Sequence, residues 1–201
     1  MLFHHFEFRK KQYIETFNTL AQYNYINPYV IEALCKNGPT FLDDYSHNIF
    51  YAQTNKPHIK NHGANEARTL LEGLKHFNFN PEDMIIKLTG RYQLISDYFL
   101  RLIENNPEYD AFVKIAASGG SYTLGFAMRY KYLKEMYETI NYAAMEKNSN
   151  WVTVEMEVSN YINRKIKEGN FRFFQVEKLD IQANLFGSST APGAREEIRI
   201  Y

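Results

Sequence analysis

One short segment combines a buried strand with side chains that could bind a phosphorylated ligand. The apolar run Met84–Leu88 is interrupted only by Lys87, and the sequence T-G-R-Y follows at 89–92. A continuous apolar run is typical of a central strand covered on both faces. In open α/β sheets, ligands bind beyond the carboxyl ends of such strands. The segment therefore predicts a binding site at the carboxyl end of 84–88.

The residue types at this strand end suit a diphosphate. Gly90 would let the backbone approach a ligand closely, and Arg91 offers a planar fork of donors that matches phosphate oxygens. Lys87 needs a paired charge or a cleft, because a buried unpaired ammonium is costly. Thr89 and Tyr92 flank these positions. An accidental strand end with a solvated arginine is the alternative interpretation.

A second segment of interest is K-N-H-G-A-N-E-A at 60–67, which opens a strong helical pattern. Gly63 supplies a turn there, and Asn65 and Glu66 stand at the start of the helix. These two side chains could shape a ligand pocket, or they could serve only as ordinary helix-start residues.

Several familiar catalytic and cofactor motifs are missing from the sequence. It contains no GxGxxG, no GxxxxGK[ST], no CxxC, no HExxH and no GxSxG, which removes the usual signatures of dinucleotide, P-loop, zinc and serine-hydrolase sites. The Gly-rich piece Ser118–Ser121 does not lead directly into a helix, so a turn is the simpler interpretation of it.

The segments "NHGANEARTLLEGLKHF" (61–77) and "DMIIKLTGRYQL" (83–94) resemble the small GT-A-like glycosyltransferases of surface-polysaccharide clusters in bacteria and large viruses. The resemblance extends to "LGFAMRYKYLKEMY" (124–137) and more weakly to "VEMEVSNYI" and "EKLDIQANLFGSS". It covers most of the chain, and the K-L-T-G-R-Y block is its specific part. One departure is His62, where the family more often has lysine.

The resemblance implies an α/β fold, a single-domain GT-A-like (Rossmann-like) layered sheet flanked by helices. It also implies an enzyme that transfers a sugar from a nucleotide-sugar donor to a glycan or lipid-linked acceptor. The implied donor and diphosphate site comprises Asn65, Glu66, Lys87, Thr89, Gly90, Arg91 and Tyr92. In this scheme the basic side chains meet the diphosphate and Gly90 gives it room.

A carboxylate that deprotonates the acceptor hydroxyl is also expected. Glu155 and Glu157 are the candidates, at the start of the helix after Trp151. Two residues apart on a helix is about 200° of rotation, so only one of them can face a given cleft, and the resemblance favours Glu155. An exposed glutamate stabilised by the helix dipole is the alternative. Arg129 is placed on the acceptor side, or it is a surface residue at a helix start.

The D-x-D metal motif of many GT-A enzymes does not occur in this chain. Either Lys87 and Arg91 neutralise the leaving diphosphate in place of a metal, or carboxylates elsewhere bind Mn²⁺ or Mg²⁺. The first explanation needs fewer assumptions, so we expect that no metal cofactor is required.

Two other functions remain open. A nucleotidyltransferase acting on a sugar phosphate would normally depend on magnesium and would carry a Gly-rich N-terminal loop, which the sequence does not show. A non-catalytic carbohydrate-binding protein of the same fold would bind sugar without nucleotide.

Composition narrows the class of protein further. The 201 residues carry 23 basic and 23 acidic side chains, and this balance disfavours a nucleic-acid partner. No apolar run approaches the ~20 residues of a transmembrane helix, and the N-terminus lacks the pattern of a signal peptide. We therefore expect a cytoplasmic protein with one domain over 1–201 and a flexible tail from about 187.

Strands and helices alternate along most of the chain, which is typical of an α/β layered sheet. The predicted strands are 2–8, 29–34, 48–53, 84–88, 109–115, 123–128 and 171–176. The predicted helices are 9–23, 62–76, 96–105, 130–145 and 151–168.

Replacing Arg91 tests the diphosphate assignment. Arg91→Ala is expected to weaken binding of a nucleoside diphosphate by about 1–3 kcal/mol, the range for losing hydrogen bonds to a charged group. Arg91→Lys should restore the affinity only in part, because an ammonium lacks the planar fork. Titration calorimetry measures both affinities, and an unchanged affinity in Arg91→Ala would remove the diphosphate role.

Overall fold

The computed structural model describes residues 6–33, 39–53, 59, 61–90, 92–147, 152–186 and 196–200. Its helices are α1 (Phe6–Leu20), α2 (His62–Phe77), α3 (Tyr98–Glu104), α4 (Tyr130–Thr139), α5 (Tyr142–Lys147) and α6 (Val154–Glu168), with a 3-10 turn at Phe41–Asp44. Its strands are β1 (Val30–Ala33), β2 (Ile49–Ala52), β3 (Met84–Leu88), β4 (Tyr92–Leu94), β5 (Ala111–Val113), β6 (Gly125–Arg129), β7 (Phe173–Gln175), β8 (Ile181–Phe186) and β9 (Glu196–Ile200).

The strands form three sheets within this described part. The largest has the order β3-β6-β5-β7, in which β6 is antiparallel to both β3 and β5, while β5 and β7 are parallel. The parallel pair β1-β2 and the antiparallel group β4-β8-β9 complete the set. The chain is thus an α/β protein with mixed sheets, which confirms the predicted class.

The largest sheet separates two apolar clusters because successive side chains of a strand point to opposite faces. Ala111 and Val113 of β5 pack with buried residues of α2, α4 and α6. Phe112, between them, packs on the other side with residues of α3 and β8. Its ring is fully buried and stacks on Phe174 at 5.5 Å between centroids. Helices therefore cover one face, and a helix with a second sheet covers the other.

Two helices owe their limits to capping side chains. Asn61 begins α2, where its side-chain oxygen accepts the backbone N–H of Ala64. Thr153 begins α6 by accepting the N–H of Met156, and Gly169 ends it with a φ of 86°. Such caps satisfy backbone groups that a helix end leaves unpaired. Each cap fixes the start of a helix that places a glutamate, Glu66 of α2 or Glu155 of α6, in the candidate site.

Three predicted elements differ from the structure. Residues 6–8 begin α1 rather than continuing a strand from 2, and residues 2–5 lie outside the described part. The helix predicted over 130–145 is two helices, because Ile140 is extended (ψ 135°) and the Asn141 side chain caps α5 on the N–H of Ala144. Strand β3 is an edge strand of its sheet rather than a central one.

The C-terminal region contains more strand than the sequence pattern indicates. Strand β7 is followed by β8 and β9, which pair antiparallel over 182–186 and 196–200. The sequence pattern does not predict strand β4 either, since its three residues are too few to show a periodicity. The predicted tail from about 187 includes β9, and residues 187–195 lie outside the described part.

No helix in the described ranges is both long and apolar enough to cross a bilayer.

Candidate functional site

A polar cavity of about 460 Å³ opens beyond the carboxyl end of β3. Four of the residues predicted for the site line it: Glu66, Thr89, Tyr92 and Glu155. The other lining residues come from the segment between β5 and β6: Ala116, Ser118, Gly120, Ser121, Tyr122, Thr123 and Leu124. The structure therefore brings together side chains from α2, the end of β3, β4, this segment and α6.

Backbone hydrogen bonds hold the segment 114–124 in place as one wall of the cavity. The N–H of Thr89 donates to the carbonyl of Leu124 at 3.0 Å, which extends the β3–β6 pairing beyond the strands. The N–H and hydroxyl of Ser121 both donate to the carbonyl of Glu155, at 3.0 and 2.9 Å. The first turn of α6 is thereby fixed against this wall.

The ammonium of Lys87 lies beneath the cavity and is bonded to three oxygens. It contacts Glu66 Oε1 at 2.7 Å, and it donates to Thr89 Oγ1 at 2.9 Å and to the carbonyl of Thr123 at 2.5 Å. The Lys87 side chain is only 7% exposed, whereas that of Glu66 is 50% exposed. Since an ammonium has three N–H groups, these contacts use all of its donors. The buried charge predicted at this position is paired.

The Glu155 carboxylate is oriented by the same segment. The hydroxyl of Thr123 donates to Glu155 Oε1 at 2.8 Å, while the carbonyl of Thr123 accepts from Lys87. The other oxygen of Glu155 has no hydrogen-bond partner in the described part of the chain. Thr123 therefore links the buried cation to a carboxylate that lines the cavity.

Tyr137 is a buried tyrosine whose pKa is affected by two carboxylates that line the cavity. Tyr137 of α4 is 1% exposed, and its hydroxyl is far from water. Burial raises the pKa of Tyr137 well above its usual value, and the Glu66 and Glu155 carboxylates raise it further. The phenol therefore stays neutral, and the two carboxylates both act on it.

Glu157 and Arg129 are among the predicted residues that do not line the cavity. Glu157 does not line it although Glu155 does, so the helix turns only one of the pair toward the site. Arg129 stands at the opposite end of the sheet, opposite Met84, about 13 Å along the strand from Leu88. Its guanidinium binds Asp110 at 3.1 Å and the carbonyls of Glu82 and Pro107. Arg129 thus connects two loops away from this cavity, and its acceptor-side assignment stays a prediction that the cavity does not support.

The other predicted positions have different surroundings. Gly90 faces Tyr13, because a Cβ built on it would lie 2.4 Å from the ring atom Cε1. The missing side chain thus makes room for an aromatic ring of α1. Asn65 is buried in α2 and is not among the residues that line the cavity, and the cap of that helix is Asn61. Arg91 lies outside the described residues.

Sequence reasoning missed the residues 116–124 as a wall of the site. The pattern of small residues predicts only a simple turn, and the cluster of serine, glycine, tyrosine and threonine over 118–123 is the signal that could indicate a polar wall. Its place is decided by the bonds of Ser121 and Thr123 to Glu155, which is more than thirty residues distant. Among the described side chains, no group of three or more His, Cys, Asp or Glu could hold a metal ion.

Comparison with known proteins adds no relative: no family model matches the chain and no curated protein matches it.

The paired charges of Lys87 and Glu66 allow a stability test. Glu66→Ala is expected to lower the free energy of unfolding by about 1–3 kcal/mol, because a nearly buried ammonium loses the one carboxylate that pairs with it among the described residues. Adding Lys87→Met should recover part of that loss, since the unpaired charge is removed. Denaturant unfolding of the single and double variants gives the coupling energy.

The matched control is Glu72→Ala, an exposed glutamate of the same helix, which should change stability by no more than about 0.5 kcal/mol. Equal effects of Glu66→Ala and Glu72→Ala would show that the buried pair contributes nothing.

Proposed function

We propose that this protein transfers a sugar from a nucleotide-sugar donor to a glycan or lipid-linked acceptor, and that transfer takes place in the 460 Å³ cavity. The observation that carries the proposal is the Glu155 carboxylate, held by Thr123 in a cavity lined by hydroxyl groups. A sugar presents many hydroxyls, and transfer to a hydroxyl needs a base in contact with it. The resemblance to GT-A-like enzymes supports the same activity.

Glu155 is the proposed general base. Its Oε1 accepts a hydrogen bond from the Thr123 hydroxyl, which fixes the carboxylate and leaves Oε2 without a hydrogen-bond partner among the described residues. In a single displacement, Oε2 takes the proton of the acceptor hydroxyl while the hydroxyl oxygen forms a bond to the anomeric carbon. The bond from that carbon to the diphosphate breaks, and the diphosphate leaves with the electron pair.

Lys87 supplies a fixed positive charge rather than a direct ligand for the diphosphate. Its three donors are occupied by Glu66, Thr89 and Thr123, so a phosphate could be contacted only by displacing one of them. We assign its role to orienting Thr89 and Thr123 and to offsetting the charge of Glu66. Direct contact with the diphosphate is then assigned to Arg91, whose planar fork of donors matches phosphate oxygens.

Transfer without a metal then depends on Arg91, because the charge of Lys87 is already offset by Glu66. A guanidinium offers a planar fork of donors to the oxygens of the leaving diphosphate. A protein cation in that position takes the role otherwise played by Mg²⁺ or Mn²⁺.

One observation favours a second candidate, a non-catalytic carbohydrate-binding protein. The lining includes Tyr92 and Tyr122, and an aromatic ring next to hydroxyl groups suits a sugar without any nucleotide. Thermal shift with UDP, GDP, CMP and free monosaccharides separates the two functions. Stabilisation by a nucleoside diphosphate supports the transferase; stabilisation by sugar alone supports the binding protein. Stabilisation by triphosphates alone would favour a nucleotidyltransferase.

The two glutamates of α6 provide a matched pair of variants. Glu155→Gln is expected to reduce turnover by about 10²–10⁴-fold, the usual contribution of a general base, with donor affinity nearly unchanged. Glu157→Gln should leave turnover within about twofold of the unchanged enzyme, because its side chain does not line the cavity. Steady-state transfer assays measure kcat and KM for each. Equal effects of both substitutions would refute the assignment of Glu155.

Metal dependence is tested by chelation. Transfer activity is expected to persist in EDTA, because the charge on the leaving diphosphate is offset by protein cations. The assay compares the initial rate with EDTA against the rate after dialysis and addition of Mn²⁺ or Mg²⁺. A rate abolished by EDTA and restored by either metal would show that carboxylates hold a cation in this enzyme.

A further inference from the structure

A second cavity, of about 660 Å³, runs between two strands that do not pair with each other. One wall includes Val30, Ile31 and Glu32 of β1, and the other includes every residue from Asp83 to Leu88. A cavity on one face of a strand would meet only alternate residues, because side chains alternate between faces. Lining by consecutive residues shows that the cavity follows the edges of β1 and β3. We call this space the slot.

The hydrogen-bond register shows which backbone groups of β3 point into the slot. Thr89 donates its N–H to Leu124, and paired residues of antiparallel strands alternate between bonded and non-bonded pairs. The N–H groups of Ile85 and Lys87 therefore point to β6. Those of Met84, Ile86 and Leu88 point away from it, into the slot, and they have no partner in the described part of the chain.

Strand β1 presents a similar edge from the opposite side. The N–H of Val30 donates to the carbonyl of Asn48, so in this parallel ladder Val30 and Glu32 bond to β2. The N–H and carbonyl groups of Ile31 point to the slot. Two unpaired strand edges thus face each other across an apolar space, which leaves a row of backbone donors and acceptors without a strand partner.

Apolar layers cover the slot above and below. Leu70 and Leu74 of α2 and Leu133 of α4 line one side; Phe99 and Leu100 of α3 line the other. A strand pair formed here would be buried on both faces, as the apolar run of β3 requires. Strands that remain at an edge are usually protected by charges or proline. The only charged side chain of β3, that of Lys87, is already bound to Glu66.

We propose that β1 closes onto the free edge of β3 and completes a six-stranded sheet with the order β2-β1-β3-β6-β5-β7, of which the structure shows the open form. Strands β2 and β3 are joined through helix α2, and strands connected in this way through a helix run parallel within one sheet. β1 is already parallel to β2. The closed sheet therefore has β1, β2 and β3 parallel.

Closure has a consequence for the candidate site. In a parallel arrangement the carboxyl ends of β1 and β3 lie at the same edge of the sheet, and the 460 Å³ cavity opens at the carboxyl end of β3. The end of β1, at Ala33, is then brought to the side of Thr89. Closure adds a wall to the site that the open form does not have, and this inference is independent of which reaction the site performs.

Amide hydrogen exchange, resolved by residue with NMR on the full chain, tests the closure. In the closed form the N–H groups of Met84, Ile86 and Leu88 are hydrogen-bonded, so their protection factors should come within about tenfold of those of Ile85 and Lys87. The latter two are internal controls because their partner is β6 in both forms. If the first three exchange at the rate of unstructured amides while the controls are protected, the closure is refuted. A cavity kept open for an apolar ligand would give that same refuting result.

A substitution in β1 tests whether β1 is the strand that pairs with the free edge of β3. Ile31→Pro removes the N–H that faces the slot and leaves the bonds to β2 in place, and proline is tolerated at such edge positions. It should lower the protection of Met84, Ile86 and Leu88 by at least about tenfold while Ile85 and Lys87 keep theirs. Ile31→Val, which retains the N–H, is the control. Unchanged protection in Ile31→Pro would show that another segment covers β3.

Discussion

The buried ammonium of Lys87 is the interaction on which the candidate site depends. It is 7% exposed and bonded to Glu66 of α2, to Thr89 after β3 and to the carbonyl of Thr123 before β6. Removing an ammonium from water is costly unless its donors are satisfied, so these three parts of the chain must meet around it. Helix α2, the end of β3 and the loop before β6 are therefore positioned by one buried charge, that of Lys87 on the apolar strand β3.

Thr123 extends this arrangement to the first turn of α6. Its carbonyl accepts from Lys87 and its hydroxyl donates to Glu155, while Ser121 holds the carbonyl of Glu155 from the same segment. The cation and the carboxylate are thereby held on opposite sides of one residue. Tyr137 below them stays neutral because burial raises its pKa. A site with one fixed cation, one oriented carboxylate and many hydroxyls suits a polyhydroxylated ligand.

The apolar pattern of β3 predicts a central strand, whereas the structure places β3 at the edge of its sheet. Its apolar run predicts a neighbour on each side, and the structure has β6 on one side and an apolar slot on the other. The pattern reports that both faces are covered, which is true of β3. Whether a neighbouring strand occupies an edge depends on backbone pairing, and backbone pairing leaves no periodicity in the side chains. Closure of β1 onto β3 would bring the two into agreement.

By itself, the sequence determined the α/β class, the strand 84–88, the helix that begins near residue 62, and the polar residues at the end of that strand, where the structure has a cavity. These features follow from local periodicity, helix caps and residue types, and all of these signals lie within short stretches of neighbouring residues. Only the tertiary structure decided that Glu155 rather than Glu157 lines the cavity, that Arg129 ties loops together at the far end of the sheet, and that residues 116–124 form a wall. Those outcomes rest on contacts between residues tens of positions apart, such as Thr123 with Glu155, and the sequence pattern around one residue carries no signal of its distant partner.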